Sequence, residues 1–137
     1  MIRIKHIDHL VIRARNLEEM ISFYCDVVGC SLDKRVDELG LVHLRTGISM
    51  IDLISVDGKL GMMGGAPPQV EGRNMDHLCL RVEDFSVEAV LAHLESHGVA
   101  ASDVYNNYGA EGYGASIYIK DPEGNTIEFK GPAEGKE

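Results

Sequence analysis

Cysteine is scarce in this chain and shows no pairing pattern. There are three, Cys25, Cys30 and Cys79, an odd number without a Cys-x-x-Cys spacing. They read as reduced thiols and predict a cytoplasmic protein. Positive charge is short too: 13 Lys and Arg stand against 22 Asp and Glu, a formal net charge of -9. Nucleic-acid binding, which needs a basic patch, is therefore not expected. No apolar run approaches the ~20 residues that span a bilayer, and no signal-peptide pattern opens the sequence, so no membrane segment is expected. What is present is ordinary for a soluble globular protein, 45% hydrophobic and 26% charged residues. A length of 137 residues favours one domain, 1–137, large enough to build a real core.

The chain repeats itself. Residues 8–13 read Asp8-His9-Leu10-Val11-Ile12-Arg13 and residues 76–81 read Asp76-His77-Leu78-Cys79-Leu80-Arg81, the same D-H-L-x-x-R pattern 68 positions apart. An amphipathic helix follows each copy. The first is predicted from Leu17 to Val28 and ends at Gly29; the second runs from Phe85 to His97 and ends at Gly98, glycine being the residue for a left-handed cap. Each copy then passes through short apolar segments to a strand holding an acid, Met50-Ile51-Asp52-Leu53-Ile54 and Thr126-Ile127-Glu128-Phe129. The organisation expected is two strand–helix–strand–strand–strand units, a first module at about 4–56 and a second at about 75–131. Residues 57–74, with Pro67-Pro68 and several glycines, read as a linker. Residues 106–114 read as a second flexible stretch, and Asp121-Pro122-Glu123-Gly124-Asn125 as a tight hairpin turn.

Strand side chains alternate faces. In the first copy Leu10 and Ile12 share one face, with His9, Val11 and Arg13 on the other; Leu78 and Leu80 likewise oppose His77, Cys79 and Arg81. Asp52 and Glu128 oppose the apolar neighbours that flank them. The helices, with stripes Met20-Phe23-Tyr24 and Val87-Val90-Leu91-Leu94, can cover the apolar faces. The opposite faces collect two imidazoles, two carboxylates and two arginines. Two histidines with one or two carboxylates form a first-row metal set that leaves positions open for water or substrate. A single histidine would read as a solvent-facing residue, but repeat-related placement favours the metal. Arg13 and Arg81 either bind an anionic substrate group or pair with nearby acids.

These residues resemble the vicinal oxygen chelate superfamily, which includes glyoxalase I, extradiol dioxygenases, fosfomycin-resistance transferases and bleomycin-resistance proteins. The likeness runs from Ile7 to Gly131, through Ile7-Asp8-His9-Leu10, Met75-Asp76-His77-Leu78 and the stretch from Ser116 to Glu128. It implies an α+β fold in which two tandem β-α-β-β-β modules form a curved mixed sheet around a metal. It also implies a homodimer whose sites take ligands from both chains. Position by position, His9, His77 and Glu128 match the ligands of the metal-binding members. Asp52 matches the fourth ligand of glyoxalase I, where the family usually carries Glu, one methylene longer. Arg13 resembles the residue that holds the glutathione carboxylate.

The other branches each lack a feature. Extradiol dioxygenases share Tyr118-x-x-Asp121-Pro122-x-Gly124, but their catalytic histidine falls where this chain has Gly109, Ala110 and Glu111. Fosfomycin transferases carry threonine where Val11 stands, and bleomycin-resistance proteins generally lack the metal set. The resemblance therefore implies a glyoxalase I-like lyase or isomerase with a divalent ion (nickel, zinc, cobalt, manganese or iron). Glu128, with Asp52, would be the proton-transfer carboxylate, and the substrate a small molecule, a glutathione adduct among the candidates. The alternatives are an Fe(II) ring-cleaving dioxygenase and a drug- or metabolite-binding protein without turnover. His93 and His97, four apart on the second helix, read as a solvated face. His6 and His43 read as surface or rim residues, with His43 able to line the cavity.

Overall fold

The structure, a computed structural model, describes residues 1–134. The described residues divide into two compact units that meet between Glu71 and Gly72 in sequence. Residues 135–137 of the expected 1–137 domain lie outside the described residues. No helix among the described residues is long and apolar enough to cross a membrane.

The first unit comprises β1 (His9–Ala14), α1 (Leu17–Phe23), β2 (Ser31–Val36), β3 (Leu41–Thr46) and β4 (Ser49–Ser55). Its sheet has the order β1-β4-β3-β2, with β1 parallel to β4 and the other pairs antiparallel. Asn16 starts α1 by accepting the Glu19 N–H at 3.1 Å, a side-chain cap on one of the orphan donors. The predicted helix to Val28 is present with one change: its last five residues, Tyr24–Val28, widen into a π-turn. That turn closes with Cys30 N–H on Tyr24 O at 2.9 Å and ends at Gly29, φ 97°. Met20 and Tyr24 are fully buried, and Ile12 and Ala14 of β1, Val42 and Leu44 of β3, and Ile51 and Leu53 of β4 are buried with them. The apolar periodicity of helix and strands therefore builds this core.

The second unit repeats the plan with β5 (Leu78–Arg81), α2 (Val87–Ser96), β6 (Tyr105–Gly109), β7 (Gly112–Lys120) and β8 (Thr126–Lys130). Its order, β5-β8-β7-β6 with β5 parallel to β8, is that of the first unit element for element. Ser86 caps α2 on the Ala89 N–H, and Gly98 (φ 68°) follows its end. Leu94, Ile117, Ile119, Ile127 and Phe129 are its core.

Two loop readings change. Residues 106–114 are not a flexible stretch: β6 and β7 pair through them from Tyr105↔Ser116 to Gly109↔Gly112, leaving a two-residue turn. Glycine suggested a loop there, but Gly114 instead lets the chain pass close to its neighbours, since a Cβ would fall 2.5 Å from Pro132 O. The 57–74 segment is fastened rather than free over its first part. Arg13 donates to Gly61 O (3.0 Å), Ala66 O (3.2 Å) and Gly65 O, and Arg15 to Pro68 O at 2.5 Å.

The Asp121–Asn125 turn is as expected, and its carboxylate is the fastening. Buried Asp121 accepts the N–H groups of Glu123 and Asn125 on Oδ1, both at 2.9 Å, and the Asn125 amide on Oδ2 at 2.8 Å. Arg73 closes the other side on Asn125 Oδ1 and Glu123 O. Asp121→Ala strips acceptors from two backbone donors, and each unsatisfied group costs about 1–3 kcal/mol. Urea melts are therefore expected to show a loss of roughly 2–4 kcal/mol; a loss below about 0.5 kcal/mol, the range of ordinary surface substitutions, would show the turn holds without the carboxylate.

Candidate metal centre

In each unit the acid lies on a strand with a neighbour on both sides, which is why it is buried. Asp52 on β4 pairs with Val11 of β1 and His43 of β3; Glu128 on β8 pairs with Cys79 of β5 and Tyr118 of β7. Both carboxylates are nearly inaccessible, Asp52 at 5% and Glu128 at 4% exposure. A buried carboxylate needs donors or a cation, and the two units meet that need differently.

In the first unit His43 Nδ1 contacts Asp52 Oδ1 at 2.9 Å. His9, at the start of β1, stands half exposed with its Nδ1–H donating to Asp8 Oδ1 at 2.7 Å. That hydrogen bond, and then the charge of Asp52, raises the His9 pKa above the usual histidine value.

In the second unit His77 precedes β5. Its Nδ1–H donates to Asp76 Oδ2 at 2.7 Å, while Nε2 faces Glu128 Oε1 at 3.1 Å. The other oxygen, Glu128 Oε2, accepts from Ser116 Oγ at 2.5 Å and Asn107 Nδ2 at 3.2 Å. The Tyr118 hydroxyl also bonds Glu128, accepts from Asn107 Nδ2 at 2.9 Å, and its ring meets His77 edge-on at 5.6 Å. Burial, the largest influence, pushes the Glu128 pKa up, but the bonds from Ser116, Asn107 and Tyr118 and the charge of His77 together leave it below the ordinary glutamate value. Burial and then the charge of Glu128 raise the Tyr118 pKa and push the Cys79 thiol up to about 11, so Cys79 stays protonated at neutral pH.

The two units share one device. Both histidines sit directly after an aspartate that takes the Nδ1 proton, and a carboxylate there can only accept. This fixes the tautomer that presents Nε2, the arrangement by which outer carboxylates orient metal-binding imidazoles. The sign was in the repeat, whose first letter is the aspartate, but the motif reading stopped at the histidines. Ser116 and Asn107 were missed for another reason: neither carries charge, and Asn107 lay in the stretch read as a loop. His43, left at the rim, is the partner of Asp52.

The two arginines are held in different ways. Arg13 holds loop carbonyls in its own unit, and Gly64 packs so closely that a Cβ would lie 2.7 Å from the guanidinium. Among the described residues it makes no ion pair with an acid. Arg81 donates from Nε to Glu111 Oε1 at 2.7 Å and from Nη1 to Val82 O, the acid-pairing alternative. His93 and His97 meet at a tilt of 52° with ring centres 4.6 Å apart, both exposed at the end of the helix. Among the described residues no three His, Cys, Asp or Glu side chains cluster as a complete metal cage. The imidazole–carboxylate pairs are the assembled elements.

The chain has recognisable relatives. YaeR, an uncharacterized protein of Escherichia coli K12, is 27% identical over 135 residues, covering 94% of this chain and 98% of its own length. The catechol-2,3-dioxygenase of Bacillus subtilis is 26% identical over 125 residues; these are 90% of this chain but only 40% of that enzyme. A virulence protein of Salmonella typhimurium, of known structure, superposes with a TM-score of 0.77 at 25% identity, over 96% of this chain and 100% of its own. The family model of the Glyoxalase/Bleomycin resistance protein/Dioxygenase superfamily matches residues 6–129, from before the first repeat through Glu128. With that match spanning both units, the chain belongs to the Glyoxalase/Bleomycin resistance protein/Dioxygenase superfamily.

Proposed function

We propose that this chain is a divalent-metal-dependent enzyme of the glyoxalase I type, moving a proton on a small substrate with two neighbouring oxygens. His9, Asp52, His77 and Glu128 are its metal ligands and Glu128 its base. One observation carries the reading: His77 Nε2 faces Glu128 Oε1 at 3.1 Å while Asp76 secures the other ring nitrogen. The donor set of two oriented imidazoles and two buried carboxylates fits a first-row divalent ion. Such an ion, when bound, supplies Lewis-acid polarisation of a substrate carbonyl. The protein's own part is to hold a proton acceptor in place. Glu128 is ionised at neutral pH, and Ser116 and Asn107 engage Oε2, so Oε1 is the oxygen available to take a proton. The working form in this reading is a cytoplasmic homodimer.

The testing experiment is metal analysis of the purified protein, followed by NMR of the methylglyoxal–glutathione hemithioacetal in deuterated water. About one divalent ion per chain and enzyme-catalysed exchange or isomerisation at the hemithioacetal carbon are expected. No bound ion after supplementation with nickel, zinc, cobalt, manganese and iron, and no turnover, would defeat the reading.

A second reading, Fe(II)-dependent ring cleavage, is favoured by the relationship to the catechol dioxygenase and by Tyr118 lying against both His77 and Glu128. Tight iron and oxygen uptake on adding catechol would select it.

Asp76 offers a separate check. Outer carboxylates of this kind are worth about 10–100-fold in metal affinity, and Asp76 is solvent-exposed, so Asp76→Ala is expected at the low end, near tenfold. Zinc competition against a chelator measures it; unchanged affinity would show that Asp76 does not orient His77.

A further inference from the structure

The second unit holds a cleft of about 290 Å³ whose charged and reactive lining is His77, Cys79, Arg81, Glu111, Glu128 and Lys130. Its charges pair off with one remainder. His77 faces Glu128, and Arg81 holds Glu111. Lys130 has no such partner: its Nζ donates to the neutral carbonyl of Gly112 at 2.9 Å, and among the described residues no carboxylate lies within ion-pair distance of it. It is nevertheless 95% buried, at 5% exposure. An ammonium taken from water without a counter-charge is costly. A cleft beside it can be filled by an anion that repays this cost.

The sheet is built to seat that ammonium. Glu128 and Lys130 are two apart on β8 and so share a face, and Lys130 pairs across to Arg81 and Ser116. Two glycines leave the seat bare. A Cβ at Gly114 would stand 3.0 Å from Lys130 Nζ, and one at Gly109 would stand 3.0 Å from Cε. Arg81, with its Nε on Glu111, places a second positive group next to Lys130 in the pairing register.

We propose that Lys130 is the anion-recognition residue of this cleft, taking an oxyanion group, carboxylate or phosphoryl, of a small acidic substrate. Resting on the function proposed above, this makes the substrate an acid whose neighbouring oxygens are presented toward the His77–Glu128 pair. It also moves anion recognition away from Arg13, which holds its loop.

The test uses the full chain labelled with 15N-lysine, as purified and after chelator treatment, titrated separately with inorganic phosphate and sodium acetate. The Lys130 ammonium resonance, identified by its loss in Lys130→Arg, is expected to shift saturably with at least one anion in both preparations. Binding measured by calorimetry is expected to fall at least tenfold in Lys130→Met and to return to within about threefold in Lys130→Arg, which keeps the charge. A preference for phosphate would assign a phosphoryl group, and one for acetate a carboxylate. An unmoved Lys130 resonance, or equal anion binding in parent and Lys130→Met, overturns the proposal, and the resonance decides even if the Met variant folds poorly. Zinc stoichiometry of the same samples separates the two readings. Anion binding without metal binding sinks the metal enzyme and keeps the anion site; metal binding without the Lys130 response does the reverse.

Discussion

Glu128→Gln is expected to lower proton transfer by about two to four orders of magnitude, the usual contribution of a positioned general base, while the protein keeps its fold. Glutamine has the same length and can still accept from Ser116 and Asn107, which hold Oε2 at 2.5 and 3.2 Å. It cannot take a proton at neutral pH, and its amide nitrogen is a donor where His77 Nε2 now meets an acceptor. The variant therefore separates chemistry from architecture: circular dichroism and urea melting stay near the parent, and some metal is retained because the other proposed ligands, His77 among them, are unchanged. The measurement is exchange of the substrate's carbon-bound proton with deuterated solvent. Exchange as fast as the parent's places the base elsewhere, with Asp52 next in line. Asp52→Asn is the comparison, and a milder loss is expected because Asp52 Oδ1 is already engaged by His43 at 2.9 Å.

The architecture was legible because its signals are periodic. The repeated D-H-L-x-x-R placed β1 and β5, glycine placed the helix ends at Gly29 and Gly98, and alternation put His9 with Arg13 and His77 with Arg81 on common faces. Alternation says which side a residue takes, not how deeply it lies or what meets it. Asp52 and Glu128 could be put on the face of the histidines but not at a depth; each is buried on a strand with neighbours on both sides, a fact of strand order. Arg13 faced the expected way and met loop carbonyls, contacts 48 to 53 residues away in sequence that no local pattern encodes. Lys130 is buried against glycines at 109 and 114, which in sequence looked like flexibility. Composition distinguishes a glycine that bends from one that makes room only once the neighbouring strand is known.

The two histidines that touch buried carboxylates are expected to behave oppositely when removed. His77→Ala should abolish stoichiometric binding of zinc or nickel, whereas His43→Ala should leave stoichiometry intact and change affinity by less than about tenfold, the lower bound for an outer partner. The difference follows from how each ring is held. His77 has Nδ1 on Asp76 and Nε2 toward Glu128 Oε1, so the nitrogen suited to a metal points at the second ligand. His43 has Nδ1 on Asp52 Oδ1, and no aspartate precedes it to hold the other tautomer, because Val42 is its neighbour in sequence. Its contact supports a carboxylate, the role of an outer partner. His77→Ala leaves Glu128 with Ser116, Asn107 and Tyr118, so the buried charge keeps its donors and the fold is expected to survive, as circular dichroism will register. Equilibrium dialysis against each metal distinguishes the pair. Full stoichiometry in His77→Ala would remove it from the ligand set, and loss in His43→Ala instead would transfer that place to the histidine on β3.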